Sequence, residues 1–87
     1  FHPQNAGVPG RGPSLGTHLF FDASSQPQVE VYNTNFYSRC LVVPTRDPVV
    51  GPIKSAPIGA GNVVIVGATA HGVVILTVTA AQLAACS

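Results

Sequence analysis

The sequence predicts an all-β fold: a small antiparallel β-sandwich or barrel-like domain preceded by an extended Pro/Gly-rich N-terminal arm. Three observations predict it. Residues 28–34 alternate between apolar and polar positions, the period-two signature of a half-buried antiparallel strand. Two β-branched runs of strand length, Val63-Val64-Ile65-Val66 and Val73-Val74-Ile75-Leu76-Thr77-Val78-Thr79, flank a segment bracketed by glycines. Such residues suit a pleated, packed surface better than a helix in water. Prolines at 3, 9 and 13, and again at 44, 48, 52 and 57, bar both helix interior and central strand from those two stretches.

The elements follow in order. Residues 1–16 contain Pro3, Gly7, Pro9, Gly10, Gly12, Pro13 and Gly16 and read as an arm that sustains neither helix nor ladder. Phe1, His2, Val8, Arg11 and Leu15 are its candidate contact residues. Residues 17–87 form the β-domain. Residues 17–21 read as the first strand, ending in a turn at Asp22-Ala23-Ser24-Ser25. In the second strand, Val29, Val31 and Asn33 point one way and Gln28, Glu30 and Tyr32 the other. A bend at Asn33-Thr34-Asn35 leads to a third strand over residues 36–43. Thr45-Arg46-Asp47 is an exposed tip, and the proline-spaced stretch behind it is assigned to edges, turns and polyproline-like extension. Residues 63–79 read as a C-terminal hairpin whose loop is Gly67-Ala68-Thr69-Ala70-His71-Gly72. In its second strand Val74, Leu76 and Val78 share one face. With Val64 and Val66 they are the candidates for core or subunit interface. Residues 80–85 can form one or two helical turns, too few to be stable unaided.

At 87 residues and 8.9 kDa there is room for one domain. Without the arm about 70 residues remain, near the size at which a lone core needs help from disulfides, metals or partners. Cys40 and Cys86 either close a bridge across most of the folded region, adding about 4 kcal/mol, or stay reduced as two small apolar residues. The sequence has no Met, so Phe1 is not an initiator product as written: either a leader has been removed or the chain begins downstream of the true start.

Charge patterning excludes several function classes. Four basic and three acidic residues leave a net charge of +1, too little for a nucleic-acid footprint or an acidic solvating tail. From Ser55 to Ser87 there is no charged residue at all. A free monomer of this size normally intersperses charges over its surface, so a third of this chain is expected to face a partner. The rival reading is a membrane span at about 63–85, an uncharged run of nearly sufficient length. Against it, His71 would sit near the bilayer midplane, and no Lys, Arg, Trp or Tyr follows to anchor the far interface.

Catalytic chemistry has little to draw on. The histidines at 2, 18 and 71 lack the spacing of a metal site. Asp22, Glu30 and Asp47 lie in different segments. His18 and Asp22 stand four apart, but on a strand and its turn. Cys40 with His71 would make a nucleophile and base, yet nothing near Cys40 suggests an oxyanion hole. His71 reads as an exposed loop tip or a pH-sensing group. No enzyme activity, metal or cofactor is expected.

The arm at 1–16, the stretch Leu19-Phe20-Phe21-Asp22-Ala23-Ser24-Ser25 and the apolar strands at 63–66 and 73–79 give the chain a layout that resembles the small decoration, or cement, proteins of tailed bacteriophage heads. The resemblance implies a virion location at the capsid surface, a homo-oligomer, preferably a trimer, and a major capsid or coat protein as scaffold. The arm would cross onto that scaffold while the uncharged hairpin is buried between subunits. A secreted binding or inhibitor module and a membrane-associated protein are the alternatives.

Overall fold

A computed structural model describes residues 18–50 and 53–86; the expected arm and its five contact candidates, Phe1, His2, Val8, Arg11 and Leu15, lie outside the described residues. The chain runs β1 (Leu19–Ala23), β2 (Gln28–Asn33), β3 (Ser38–Pro44), β4 (Lys54–Gly59), β5 (Asn62–Thr69), β6 (Gly72–Val78) and α1 (Ala80–Cys86). All pairings are antiparallel, and the strands form two three-stranded sheets ordered β1-β2-β3 and β4-β5-β6. The all-β architecture predicted from the alternation is therefore what the chain adopts.

The alternation of β2 works as expected. Val29, Val31 and Asn33 are buried on the inner face, paired with Ala23, Phe21 and Leu19 of β1. A core forms where this face meets Val63 and Ile65 of β5, Val78 of β6, and Val49, Ile53 and Leu83. Asn33 is the polar member of that face, and its bonds are met. Its Nδ2 donates to the Cys86 carbonyl at 2.9 Å and its Oδ1 accepts from the Asn35 N–H at 2.9 Å. A buried amide so bonded fixes the end of α1 against β2 without the penalty of an orphaned polar group.

Several boundaries differ from expectation. β1 starts at Leu19 and continues through Asp22 and Ala23, because pairing with Glu30 and Val29 outweighs their local turn preference. The turn falls instead on residues 24–27, where Ser24 Oγ accepts from Gln26 N–H at 3.1 Å. β3 starts at Ser38 rather than Phe36. Phe36 and Tyr37 stand exposed in the turn, with Tyr37 at a φ of 51°. The expected six-residue hairpin loop is shorter, since β5 runs on through Thr69 and Thr69 pairs with Gly72, leaving only Ala70 and His71 between the strands.

The largest difference is β4, which the sequence did not announce. Its residues, Lys54-Ser55-Ala56-Pro57-Ile58-Gly59, have no strand pattern of their own. It forms because β5 has a second edge to satisfy, and it is an edge strand, the place where Pro57 is tolerated. Ala60 and Gly61, both at positive φ (56° and 78°), make the tight connection to β5. Two left-handed residues match the right-handed twist of the flanking strands. Beyond β4, Val49 bridges to Thr69 and packs fully buried over Gly67.

That contact yields a testable consequence. A Cβ at residue 67 would lie 2.9 Å from Val49 Cγ1 and 3.3 Å from its Cγ2. Val49 is β-branched and enclosed, so it has no free rotamer to move into. Gly67→Ala is expected to destabilise by about 1–3 kcal/mol through overpacking, and Val49→Ala in the same chain to recover part of that loss. A urea midpoint for Gly67→Ala equal to the parent's would remove the packing argument.

α1 has seven residues, too few to hold alone, and is held from both ends. Thr79 and Gln82 form a reciprocal capping box: Gln82 N–H donates to Thr79 Oγ1 at 3.3 Å and Thr79 N–H to Gln82 Oε1 at 2.9 Å. Asn62 Oδ1 accepts from Ala80 N–H at 2.9 Å, satisfying another of the orphan donors of a helix start. At the far end Cys86 is joined to Cys40 of β3 by a disulfide with a Cα–Cα distance of 5.1 Å, so the open alternative of two reduced cysteines is not what the structure contains.

Candidate functional site

Strand register decides what the charge-free third of the chain presents. Val63 faces Val78, Ile65 faces Leu76 and Gly67 faces Val74, so these six share the inner side of the β4–β6 sheet. Val64 faces Thr77, Val66 faces Ile75 and Ala68 faces Val73, so these six share the outer side. The five residues grouped as core or interface are thus split. Val78 is buried in the core and Val74 and Leu76 pack against it. Val64 and Val66 lie on the opposite surface, and the core positions of β5 are Val63 and Ile65. Four consecutive β-branched residues carry no alternation, so the face could not be read from the run itself.

The outer side is a continuous apolar surface. Val73 and Ile75 are 67% and 68% exposed. Val64 and Val66 lie beside them, half-buried, with Ala56 of β4 opposite Val64. Between β4 and β5, Lys54, Ser55, Ala56, Val64 and Val66 line a depression of about 100 Å³. Ile58, 51% exposed, stands at the bulge of β4. Among the described residues Lys54 is the one charge in this surface, on the edge strand opposite Val66. Exposed apolar side chains that are contiguous, rather than scattered, mark an interaction surface.

A second feature is the notch between the 45–47 tip and the β5–β6 turn. Arg46, Asp47, Thr69, His71, Gly72, Val73 and Val74 enclose about 570 Å³, and His71 Nδ1 lies 3.4 Å from Asp47 Oδ1. His71 is well exposed, so an ion pair here contributes little. The turn is fixed independently: Thr69 Oγ1 donates to the Gly72 carbonyl at 3.0 Å and accepts from His71 N–H at 3.2 Å. His71 is therefore an exposed loop tip. Cys40 does not partner it as a nucleophile, because its sulfur is committed to the disulfide.

The outer side of the β1–β3 sheet holds a polar cluster that segment-by-segment reading missed. Asp22 and Glu30 are cross-strand partners and both are buried. Glu30 accepts from Tyr32 OH at 2.6 Å, Gln28 Nε2 at 2.9 Å and Arg39 Nη1 at 3.0 Å. Burial by itself raises the Glu30 carboxyl, but these three bonds and the Arg39 charge outweigh it and hold the group below its ordinary 4.5. Tyr32 is pushed from 10 up to about 12, by burial first and then by its bond to the Glu30 carboxylate and that charge. The His18 carbonyl accepts from Thr34 N–H and Oγ1.

Both shifts make stability depend on pH, with opposite signs. Glu30 is depressed on folding, so its contribution is present above 4.5 and is lost as pH falls through the folded value. Tyr32 is raised, so its contribution is present below pH 10 and is lost as pH climbs towards about 12. The urea midpoint should fall at both extremes. Tyr32→Phe should flatten the alkaline limb specifically; a limb that persists unchanged would show that Tyr32 does not govern it.

Among the described residues, no three His, Cys, Asp or Glu side chains converge on one point, and no helix is long and apolar enough to cross a membrane. The span weighed at about 63–85 is instead β5, β6 and α1. Comparison with family models, with curated proteins and with solved structures returns no match.

Proposed function

We propose that this protein is a structural assembly subunit that acts by contact, burying the outer side of its β4–β6 sheet against other subunits. The observation that carries the reading is the uncharged, contiguous surface of Val64, Val66, Val73 and Ile75. Covering it removes apolar area from water at about 25 cal/mol per Å². In its finer form the proposal is a capsid decoration (cement) or minor virion protein, with coat protein as scaffold and residues 1–16 as the tether. Several modest contacts repeated over a shell would then give tight retention.

Light-scattering mass of the full chain tests the general reading. An oligomer is expected, and a stable monomer at high concentration would sink it. Deleting residues 1–14 tests the finer form: the protein should leave its scaffold while keeping a β circular-dichroism spectrum. Unchanged attachment would show that the arm is no tether.

The Cys40–Cys86 bridge also fits a second reading, a small secreted binding module. Disulfides persist in secreted proteins and at virion surfaces alike, so the bridge suits both. The secreted module differs in requiring a monodisperse monomer with the bridge closed.

A further inference from the structure

Two three-stranded sheets have four edges, and an open edge is a template for another strand unless something spoils it. Three of the four are spoiled. β1 is five residues long and carries Asp22. β3 carries Arg39 and ends in Pro44, with a register shift against β2. β4 carries Lys54 and Pro57 and is bulged between Pro57 and Gly59. β6 has none of these features: Gly72-Val73-Val74-Ile75-Leu76-Thr77-Val78 is seven residues long, unbulged against β5, and free of charge and proline. Nor does α1 shield it, since after Thr79 the helix packs towards β2 and β3.

We propose that β6 is the edge by which two copies of this chain join, pairing antiparallel about a two-fold axis at Ile75 to merge their β4–β6 sheets into one six-stranded sheet. The inference rests on the assembly reading above for self-association, and it adds to the face contact proposed there a second contact made by a strand edge. Self-pairing restricts sequence in a particular way: on a two-fold axis each side chain meets its own copy or a symmetry mate, so a charge close to the axis repels itself. The absence of charge from Ser55 to Ser87 satisfies that condition along all of β6. Centring on Ile75 overlaps the whole strand, with Ile75 against its own copy and Val73 against Thr77 of the other. The pairing also keeps inner side chains with inner and outer with outer, which a one-residue slip would reverse.

Edge count also decides the symmetry. A trimer or larger ring built by sheet extension needs two different open edges on each subunit, because its contacts are heterologous. Only one edge of this chain is open among the described strands. The two-fold pair therefore replaces, for this interface, the trimer that the layout resemblance implies.

The full chain should scatter light as a dimer, at twice its 8.9 kDa, and show slow amide exchange along β6. Ile75→Lys, at a 68% exposed side chain, sets like charges on the axis and should halve the mass while leaving the β spectrum intact. Ile75→Cys should cross-link copies on oxidation, whereas Ile58→Cys, exposed on β4, should not. A trimer or larger oligomer indifferent to Ile75→Lys, with fast β6 exchange, would overturn the two-fold pairing and leave the assembly reading standing. A monomer would overturn both.

Discussion

Opening the Cys40–Cys86 bridge is expected to lower stability by about 4 kcal/mol, the chain-entropy value for a closed loop of this size, across a sequence separation of 46. A domain of about 70 residues has roughly 3–10 kcal/mol in total, so the loss takes a large share of it. The melting temperature should drop by roughly 15–30 °C. Location adds a structural consequence. The bridge ties the last residue of α1 to β3, and the helix is otherwise held by its capping box, by Leu83 and by the Asn33 bond to the Cys86 carbonyl. Amides of α1 should exchange faster on reduction, while those of β2 and β5 keep their order relative to each other. Urea unfolding with and without reductant, together with the Cys40→Ser, Cys86→Ser double variant, measures the effect. Coincident curves would show that the bridge contributes nothing.

Phe21→Ala should be at least as damaging, at about 3–5 kcal/mol. Phe21 is fully enclosed and, among the described residues, is the one aromatic side chain in a core otherwise built from Val, Ile, Leu, Ala and Cys. β-Branched neighbours are stiff at χ1 and cannot collapse into the space a phenyl ring leaves, so most of the cavity should persist. The variant should be partly unfolded at room temperature, seen as loss of the cooperative urea transition. Phe36→Ala serves as the control: that ring is 73% exposed, and its loss should shift the midpoint by less than about 0.5 kcal/mol. Equal effects at the two positions would mean that the core is not centred on Phe21.

Both predictions rest on residues whose importance the sequence showed unevenly. The buried face of β2 was legible, because Val29, Val31 and Asn33 alternate with polar partners and alternation is local. In β5 the same logic fails: Val63 to Val66 are all apolar, and only pairing with Val78 and Leu76 turns Val63 and Ile65 inward. Val64 and Val66, grouped with Val74, Leu76 and Val78 as core or interface, therefore fall on the opposite side of the sheet from those three. β4 was illegible for a related reason. Nothing in Lys54-Ser55-Ala56-Pro57 asks to be a strand, and its pairing is imposed by the open side of β5. Asp22 read as a turn residue until its position opposite Glu30 placed two buried carboxylates side by side.

What the sequence determined by itself is the all-β class, the core face of β2, the presence of a C-terminal hairpin and a charge-free last third. These follow from side-chain period and composition, which neighbouring residues express without reference to the rest of the chain. The tertiary structure decided which half of the hairpin faces outward, that β4 exists, that Cys40 meets Cys86, and that β6 is, among the described strands, the edge without charge, proline or bulge. Each of these depends on which strand lies beside which and in what register. A shift of one residue reverses every side chain, and distant pairing, not local propensity, sets that shift.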